Sequence, residues 1–318
     1  MKKIIFLLII HLSILYTQKD MIELSSLISK SKTVLIGAGA GLSTSAGYTS
    51  SGERYDKYFK DFKFKYRIND MYSGSFYPFK KVSEYWAFMS RNIYLCRFSP
   101  FIKNTFNNLY EIFKDKNYFI LTTNVDHLFQ RANFDKNKLF YMQGDMGLIQ
   151  CKKPCHFKNY ENYDLIKSML KDQGFDFDEK NELIMTDNIK TEISENLIPK
   201  CPVCGGEMDF NLRIGNNFVQ DRGWYEHQKL YERFLKENEN NDILFIELGV
   251  WHMTPGIIKY NFWNLMKNNK KGKYVSINLE ENRVPDEIKN RSLIITGDID
   301  EIINKVLLLL NQEKNNDL

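Results

Sequence analysis

The chain has 318 residues, 43% of them hydrophobic, enough for the core of one large α/β domain or two smaller ones. Its net charge is only +4 with the basic residues scattered, so nothing in the charge pattern indicates nucleic acid as a partner. Five cysteines in so long a chain exclude a disulfide scaffold, and four of them fall into two close pairs, as in a zinc site with reduced thiols.

Residues 1–20, MKKIIFLLIIHLSILYTQKD, join two lysines to an apolar run, the shape of a signal peptide or short membrane anchor. The run is shorter than the roughly 20 residues a span needs, His11 interrupts it, and no small-residue cleavage site follows. Met21 then opens a helix-like MIELSSLISK with Ile22, Leu24, Leu27 and Ile28 on one side. The expectation is a cytoplasmic protein with an upstream extension; a targeting segment is the alternative.

TVLIGAGAGLSTSAG reads as a buried strand entering a glycine-rich turn. Residues 50–80, rich in Tyr, Phe, Lys and Asp without a clear period, read as a long ordered loop or short helices. VSEYWAFMSRNIYLC and PFIKNTFNNLYEIF read as helices, the second started by Pro100. YFILTTNVD and LFYMQGD are strands that end in polar residues, and residues 151–206 form a charged insert bracketed by the cysteine pairs. DILFIELGV, KYVSINLE and RSLIITGD are further core strands, DEIINKVLLLL is a closing helix, and residues 312–318 are a polar tail. Alternating strands and helices predict a doubly wound, Rossmann-like parallel sheet built from residues 21–150 and 207–311, with ligand bound above its carboxyl edge. The insert is a small zinc-ribbon second domain.

Three motifs carry chemistry. Gly37, Gly39 and Gly41 lie between a strand and a helix, where a backbone without Cβ lets a pyrophosphate approach and a helix start favours its charge. Leu42 stands where the third glycine of G-x-G-x-x-G would be, so a tight structural turn is the competing reading. Cys151-x-x-x-Cys155 and Cys201-x-x-Cys204, followed by Gly205-Gly206, have the spacing of a closed structural zinc site. Four thiolates fill the shell without His156 and leave no open position for catalysis. In TTNVDHLFQRAN, Asn124 and Asp126 project to the same side of a strand end and can hold ribose hydroxyls and a nicotinamide amide; an Asx turn capping a helix is the competing reading.

Together these motifs resemble the sirtuin family from about Met21 to Asn311. GAGLSTSAG is similar to the family's GAG-[IL]-S-x-x-[SA]-G phosphate loop, which implies NAD contacts at Gly39, Ala40, Gly41 and Ser43. TTNVD is similar to T-Q-N-[IV]-D, which implies that Asn124 meets the nicotinamide ribose and Asp126 the nicotinamide carboxamide. The four cysteines resemble the family's zinc ribbon. LGV at 248–250, INLE at 277–280 and GDIDEII at 297–303 resemble its later nucleotide-binding segments, which implies contacts at Gly249, Asn278 and Asp298. Several ordered motifs in the right strand context are far more specific than one alone.

The departures set the expected reaction. YTSSGERY replaces the family's I-P-x-F-R turn and leaves Arg54 as the nearest candidate arginine, Thr123 replaces a Gln, and Gln143-Gly144 replaces the catalytic His-Gly. This set resembles the class M sirtuins, which occur beside macrodomain proteins and a lipoyl-carrier protein. The resemblance implies NAD-dependent ADP-ribosyl transfer to a lipoylated carrier, with a macrodomain hydrolase as a possible partner. In a deacylase a His deprotonates a ribose hydroxyl, a step that a carboxamide cannot perform. Release of nicotinamide needs positioning and stabilisation of a cationic centre, which Asn124, Asp126 and a hydrogen-bonding Gln143 supply. The alternatives are a deacylase that recruits His127 or Asp145 as base, and a non-catalytic NAD-binding module. Strand alternation would turn His127 away from Asp126, and Arg213 reads either as a partner for an acidic target or as a surface residue.

Overall fold

The computed structural model describes residues 18–251, 255–279 and 283–316, so most of the expected signal or anchor, and His252, lie outside the described residues. No helix among the described residues is long and apolar enough to cross a membrane.

In the first half of the large domain lie the strands β1 (Thr33–Ala38), β2 (Asn117–Thr122) and β3 (Leu139–Tyr141). The second lobe holds β4 (Gly144–Cys151), β5 (Tyr160–Glu161), β6 (Phe175–Phe177), β7 (Leu183–Met185) and β8 (Met208–Leu212). The chain then returns to the large sheet with β9 (Ile243–Leu248), β10 (Lys273–Asn278) and β11 (Ser292–Thr296).

Six of these strands form one sheet in the order β11-β10-β9-β1-β2-β3, every neighbouring pair parallel. Its central strands are mostly apolar because helices cover both faces, and the one carboxylate among them, Glu247 of β9, is buried against Lys259. Val34 and Ile36 of β1 pack with Met21, Leu24, Phe106 and Ile299 on one face. Leu35 packs with Phe119, Trp224, Phe234 and Phe262 on the other. The winding direction reverses between β1 and β9, and a ligand crevice forms above that point in open α/β sheets.

Within residues 50–80 the short-helix reading holds: Met71–Ser75 is one, and Glu53–Tyr66 is two helical pieces joined across a kink at Phe59. The buried residues of that segment, Tyr55, Tyr58, Phe59 and Phe62, follow a helical spacing masked by interleaved lysines and by the kink. The helix expected to start at Pro100 begins at Thr105, because the segment before it is bound elsewhere. The Pro100 carbonyl accepts from the Tyr48 hydroxyl at 3.0 Å, and Arg131 lies over the Phe101 ring.

The second lobe has an antiparallel sheet in the order β5-β4-β8 and a separate β6–β7 hairpin. The cysteine insert does not build its core alone. Ile166, Met169, Leu170 and Phe175 share one apolar cluster with Tyr55, Phe59, Phe62, Trp86, Phe88 and Tyr94. At its centre Arg91 is fully buried. It donates twice to Asp61, at 2.7 and 2.8 Å, and once each to Gln173, Tyr58 and Lys190 at 2.8 Å.

Candidate active site

The glycine-rich turn sits at the carboxyl end of β1, over the reversal point. Gly37 belongs to β1 itself, and the turn proper begins at Gly39. Gly39 and Gly41 donate to the carbonyls of Leu248 and Gly249, both at 3.0 Å. A Cβ on Gly41 would lie 2.8 Å from the Gly249 Cα, and one on Gly249 would lie 2.3 Å from the Leu42 nitrogen. The glycines therefore let two strand ends touch backbone to backbone, so the structural-turn reading and the cofactor reading describe the same residues. Ala40 is exposed, no side chain caps the helix Ala40–Ser45, and the Ala40 amide has no partner among the described residues.

The TTNVD segment is wired to this turn. Asn124, Ser43 and Asp126 are each 8% exposed. Asn124 donates both amide hydrogens, to the Gly39 carbonyl at 3.1 Å and to the Ser43 oxygen at 3.0 Å. Ser43 in turn donates to Asp126. A carboxamide has two donors and one acceptor oxygen, so Asn124 keeps only its oxygen for a ligand, which suits a hydroxyl. The Asp126 carboxylate also accepts from the Leu128 amide at 3.0 Å, which is the Asx turn the sequence offered as the competing reading. Burial pushes the Asp126 carboxyl up, against the bonds from Ser43 and Leu128.

Gln143 lies between β3 and β4, half-buried, and its side chain makes no hydrogen bond among the described residues. The turn around it is held by backbone. The Met142 amide donates to the Thr122 carbonyl at 3.1 Å, the Met142 carbonyl accepts from Trp224 Nε1 at 3.1 Å, and the Gln143 carbonyl accepts from the Arg213 amide at 3.0 Å. Gly144 has φ +95°, and a Cβ there would lie 1.9 Å from the Asn211 carbonyl oxygen, so no other residue fits.

Asp145 is 4% exposed and is held by Arg97 and His127. Arg97 Nε donates to Oδ1 at 2.8 Å and His127 Nδ1 lies 2.7 Å from Oδ2. Burial alone would raise the Asp145 carboxyl, but His127 and Arg97 outweigh it and hold it at about 2. Arg97 also touches His127 Nδ1. It comes from a single π-helical turn, Tyr94–Phe98, that ends the helix Val82–Ile93. No motif in the sequence marks Arg97; the only signal is a charge inside the apolar run YLCRF.

Strand alternation fails for His127. β2 ends at Thr122, and His127 has φ 61° and ψ 20°, a left-handed conformation at the start of the helix Leu128–Arg131. His127 thus lines one cleft with Thr122, Asn124, Asp126, Tyr141 and Asp145.

The four cysteine sulfurs lie within 4.8 Å of one another. Cys151–Cys204 and Cys155–Cys201 are each 3.7 Å apart, far beyond a disulfide bond and close to the edge of a zinc tetrahedron, about 3.8 Å for Zn–S bonds of about 2.3 Å. The amides of Cys204 and Val203 bring the Cys201 thiol down to about 7, whereas burial pushes the Cys151 and Cys155 thiols up. The donor set and spacing fit zinc.

No family model matches the chain. It is 32% identical over 296 residues to a protein ADP-ribosyltransferase of Staphylococcus aureus (strain Mu50 / ATCC 700699), covering 93% of this chain and 89% of that one. The chain belongs to the sirtuin-type protein ADP-ribosyltransferases. A second relative, a probable bifunctional ADP-ribose hydrolase/ADP-ribosyltransferase of Fusarium oxysporum f. sp. cubense, is 25% identical over 88% of this chain and 46% of its own length. Among solved structures, a Sir2 enzyme described for its mechanism and regulation matches with TM-score 0.56 at 18% identity, covering 93% of this chain and 99% of that one. A Sir2 bound to acetylated peptide matches with TM-score 0.54 at 18% identity, covering 91% and 98%. At that identity the likeness establishes the sirtuin fold.

In this sirtuin-type chain the remaining expected residues are partly engaged. Asn278 Nδ2 donates to the Val250 carbonyl at 3.1 Å, which ties β10 to the loop after β9. Asp298 accepts from the Glu301 amide at 3.1 Å and caps the last helix, Ile299–Asn316. Arg54 staples the loop after the glycine turn, donating to the carbonyls of Thr49 and Leu95. Arg213 is exposed and lies over Phe218 and Trp224, beside the Gln143 turn.

Proposed function

We propose that the chain transfers ADP-ribose from NAD to a protein, a lipoyl-carrier protein, and releases nicotinamide. NAD lies over the β1–β9 reversal, with its phosphates at Gly39, Ala40, Gly41 and Ser43 and its later contacts at Gly249, Asn278 and Asp298. Asn124 accepts from a ribose hydroxyl, Asp126 takes the nicotinamide carboxamide, and Gln143 steadies the ribosyl centre as the bond to nicotinamide breaks. Cys151, Cys155, Cys201 and Cys204 hold a structural zinc ion.

One observation carries this reading. A carboxamide, Gln143, stands on a backbone-locked turn between Tyr141 and Gly144, both of which line one cleft with Asn124 and Asp126. That supports a site equipped for the bond-breaking half of sirtuin chemistry, which needs no base at this position. The name of the Staphylococcus relative supports transfer to protein, and that of the Fusarium relative, which pairs an ADP-ribose hydrolase with an ADP-ribosyltransferase, supports ADP-ribose chemistry.

The test is incubation with NAD labelled in its ADP-ribose part and a carrier protein, lipoylated or not. Label on the lipoylated carrier alone is the expected result. Vigorous deacylation of an acetyl-lysine peptide with no label on protein would overturn the proposal.

A further inference from the structure

The pair His127–Asp145 is unexplained by the transfer chemistry. His127 takes a left-handed backbone conformation, which L side chains rarely adopt, and its ring is held by a buried carboxylate. Strain of this kind collects at functional sites. Asp145 Oδ2 can only accept a hydrogen bond, so at 2.7 Å it fixes the proton on His127 Nδ1 despite the nearby Arg97. Nε2 then carries the lone pair. It has no hydrogen-bond partner among the described residues, and the ring lines the cleft that Asn124 and Asp126 also line. The charged and titratable groups around the imidazole are Asp145 on β4, Arg97 on the π-helical turn, Asp126 on its own loop and Tyr141 on β3, with ring centroids 5.5 Å apart.

We infer, resting on the NAD-dependent reading above, that His127 is the general base that activates water when no acceptor fills the cleft and NAD is hydrolysed to ADP-ribose. Water attacks C1′ of the nicotinamide ribose, forming the C1′–O bond. The C1′–N bond breaks, its electron pair leaves with neutral nicotinamide, and the water proton passes to Nε2. Asp145 orients the ring and stabilises the imidazolium. An acidic acceptor is already ionised at neutral pH and needs no such base, whereas water must lose a proton. Gln143 cannot take that proton, and His127 lines the cleft that holds Asn124 and Asp126.

His127→Gly is the decisive variant, because glycine suits the left-handed backbone and leaves room for free imidazole. Nicotinamide and ADP-ribose release from NAD alone is measured beside label transfer to the lipoylated carrier. Wild type should hydrolyse NAD. His127→Gly should lose this by at least tenfold, within the roughly 10²–10⁴-fold range of a general base, with the KM for NAD and the Tm little changed. Added imidazole should restore much of the rate. Asp145→Asn should lower the wild-type rate but add little to His127→Gly. Label transfer by wild type without any NAD hydrolysis would overturn this inference and leave the transfer reading standing. Hydrolysis unaffected by His127→Gly, or lost without imidazole rescue, would also overturn it. Absence of any nicotinamide release would sink both.

Discussion

Asn124 spends both of its amide hydrogens inside the protein, one on the Gly39 carbonyl at 3.1 Å and one on Ser43 at 3.0 Å. The residue expected to touch the ribose is thus also the clasp between the glycine turn and the TTNVD loop. Asn124→Asp keeps the shape but loses both donors and sets a second carboxylate near Asp126. NAD turnover should fall at least a hundredfold, and stability should drop by about 1–3 kcal/mol from the unmet buried groups. Steady-state kinetics and urea unfolding check the two arms; a stable, active Asn124→Asp would contradict the clasp.

Gln143 should separate activity from stability. Its side chain bonds to nothing among the described residues, while its turn is fixed by backbone. Gln143→Ala should unfold within about 0.5 kcal/mol of wild type, as surface substitutions do, yet lose most label transfer. Full transfer by this variant would remove Gln143 from the chemistry.

The acid limb of stability should carry the mark of Asp145. Its carboxyl sits at about 2 in the fold, against 3.8 ordinarily, because His127 and Arg97 overcome its burial. A lowered value means that the folded state holds the proton more weakly than the unfolded one. The stabilisation, on the order of 2 kcal/mol, is therefore complete above pH about 4 and is lost as pH falls towards 2. Asp126 acts in the opposite sense, since burial raises it. Urea midpoints between pH 7 and pH 2.5 should fall less steeply in Asp145→Asn than in wild type.

The buried cation of the second lobe gives a prediction away from the cleft. Asp61→Ala leaves Arg91 buried with only neutral partners. The expected loss is about 3 kcal/mol, at the low end for a broken buried pair because the Asp61 side chain is 26% exposed. Thermal unfolding reads it directly.

For the cysteine cluster, metal analysis of purified protein should find about one zinc per chain. Cys201→Ser or a strong chelator should remove it and lower the Tm. A zinc-free protein of unchanged stability would refute the site.

The sheet was legible because its strands are mostly apolar runs with polar ends, and each motif marks a strand end. The cysteine pairs were legible because ligand spacing is local. Three features were legible only in outline or not at all. The helical segment Glu53–Tyr66 hides its period among lysines, and its partners lie far along the chain. Arg91 and Arg97 belong to no motif, since their meaning lies in residues about 30 to 100 positions away, such as Asp61 and Lys190 for one and Asp145 for the other. His127 was misplaced because alternation was carried past the end of β2, into a turn whose left-handed backbone no short-range signal announced.

Only Met142 and Gln143 separate β3, the last strand of the large sheet on its side, from β4, the first strand of the small one. One backbone bond moors this seam to each lobe, Met142 to Thr122 and Gln143 to Arg213. Gln143 therefore stands on a two-residue crossing between the two sheets. Any change in the angle between them at this crossing must be taken up in the backbone of Met142 and Gln143, because no longer loop is there to absorb it.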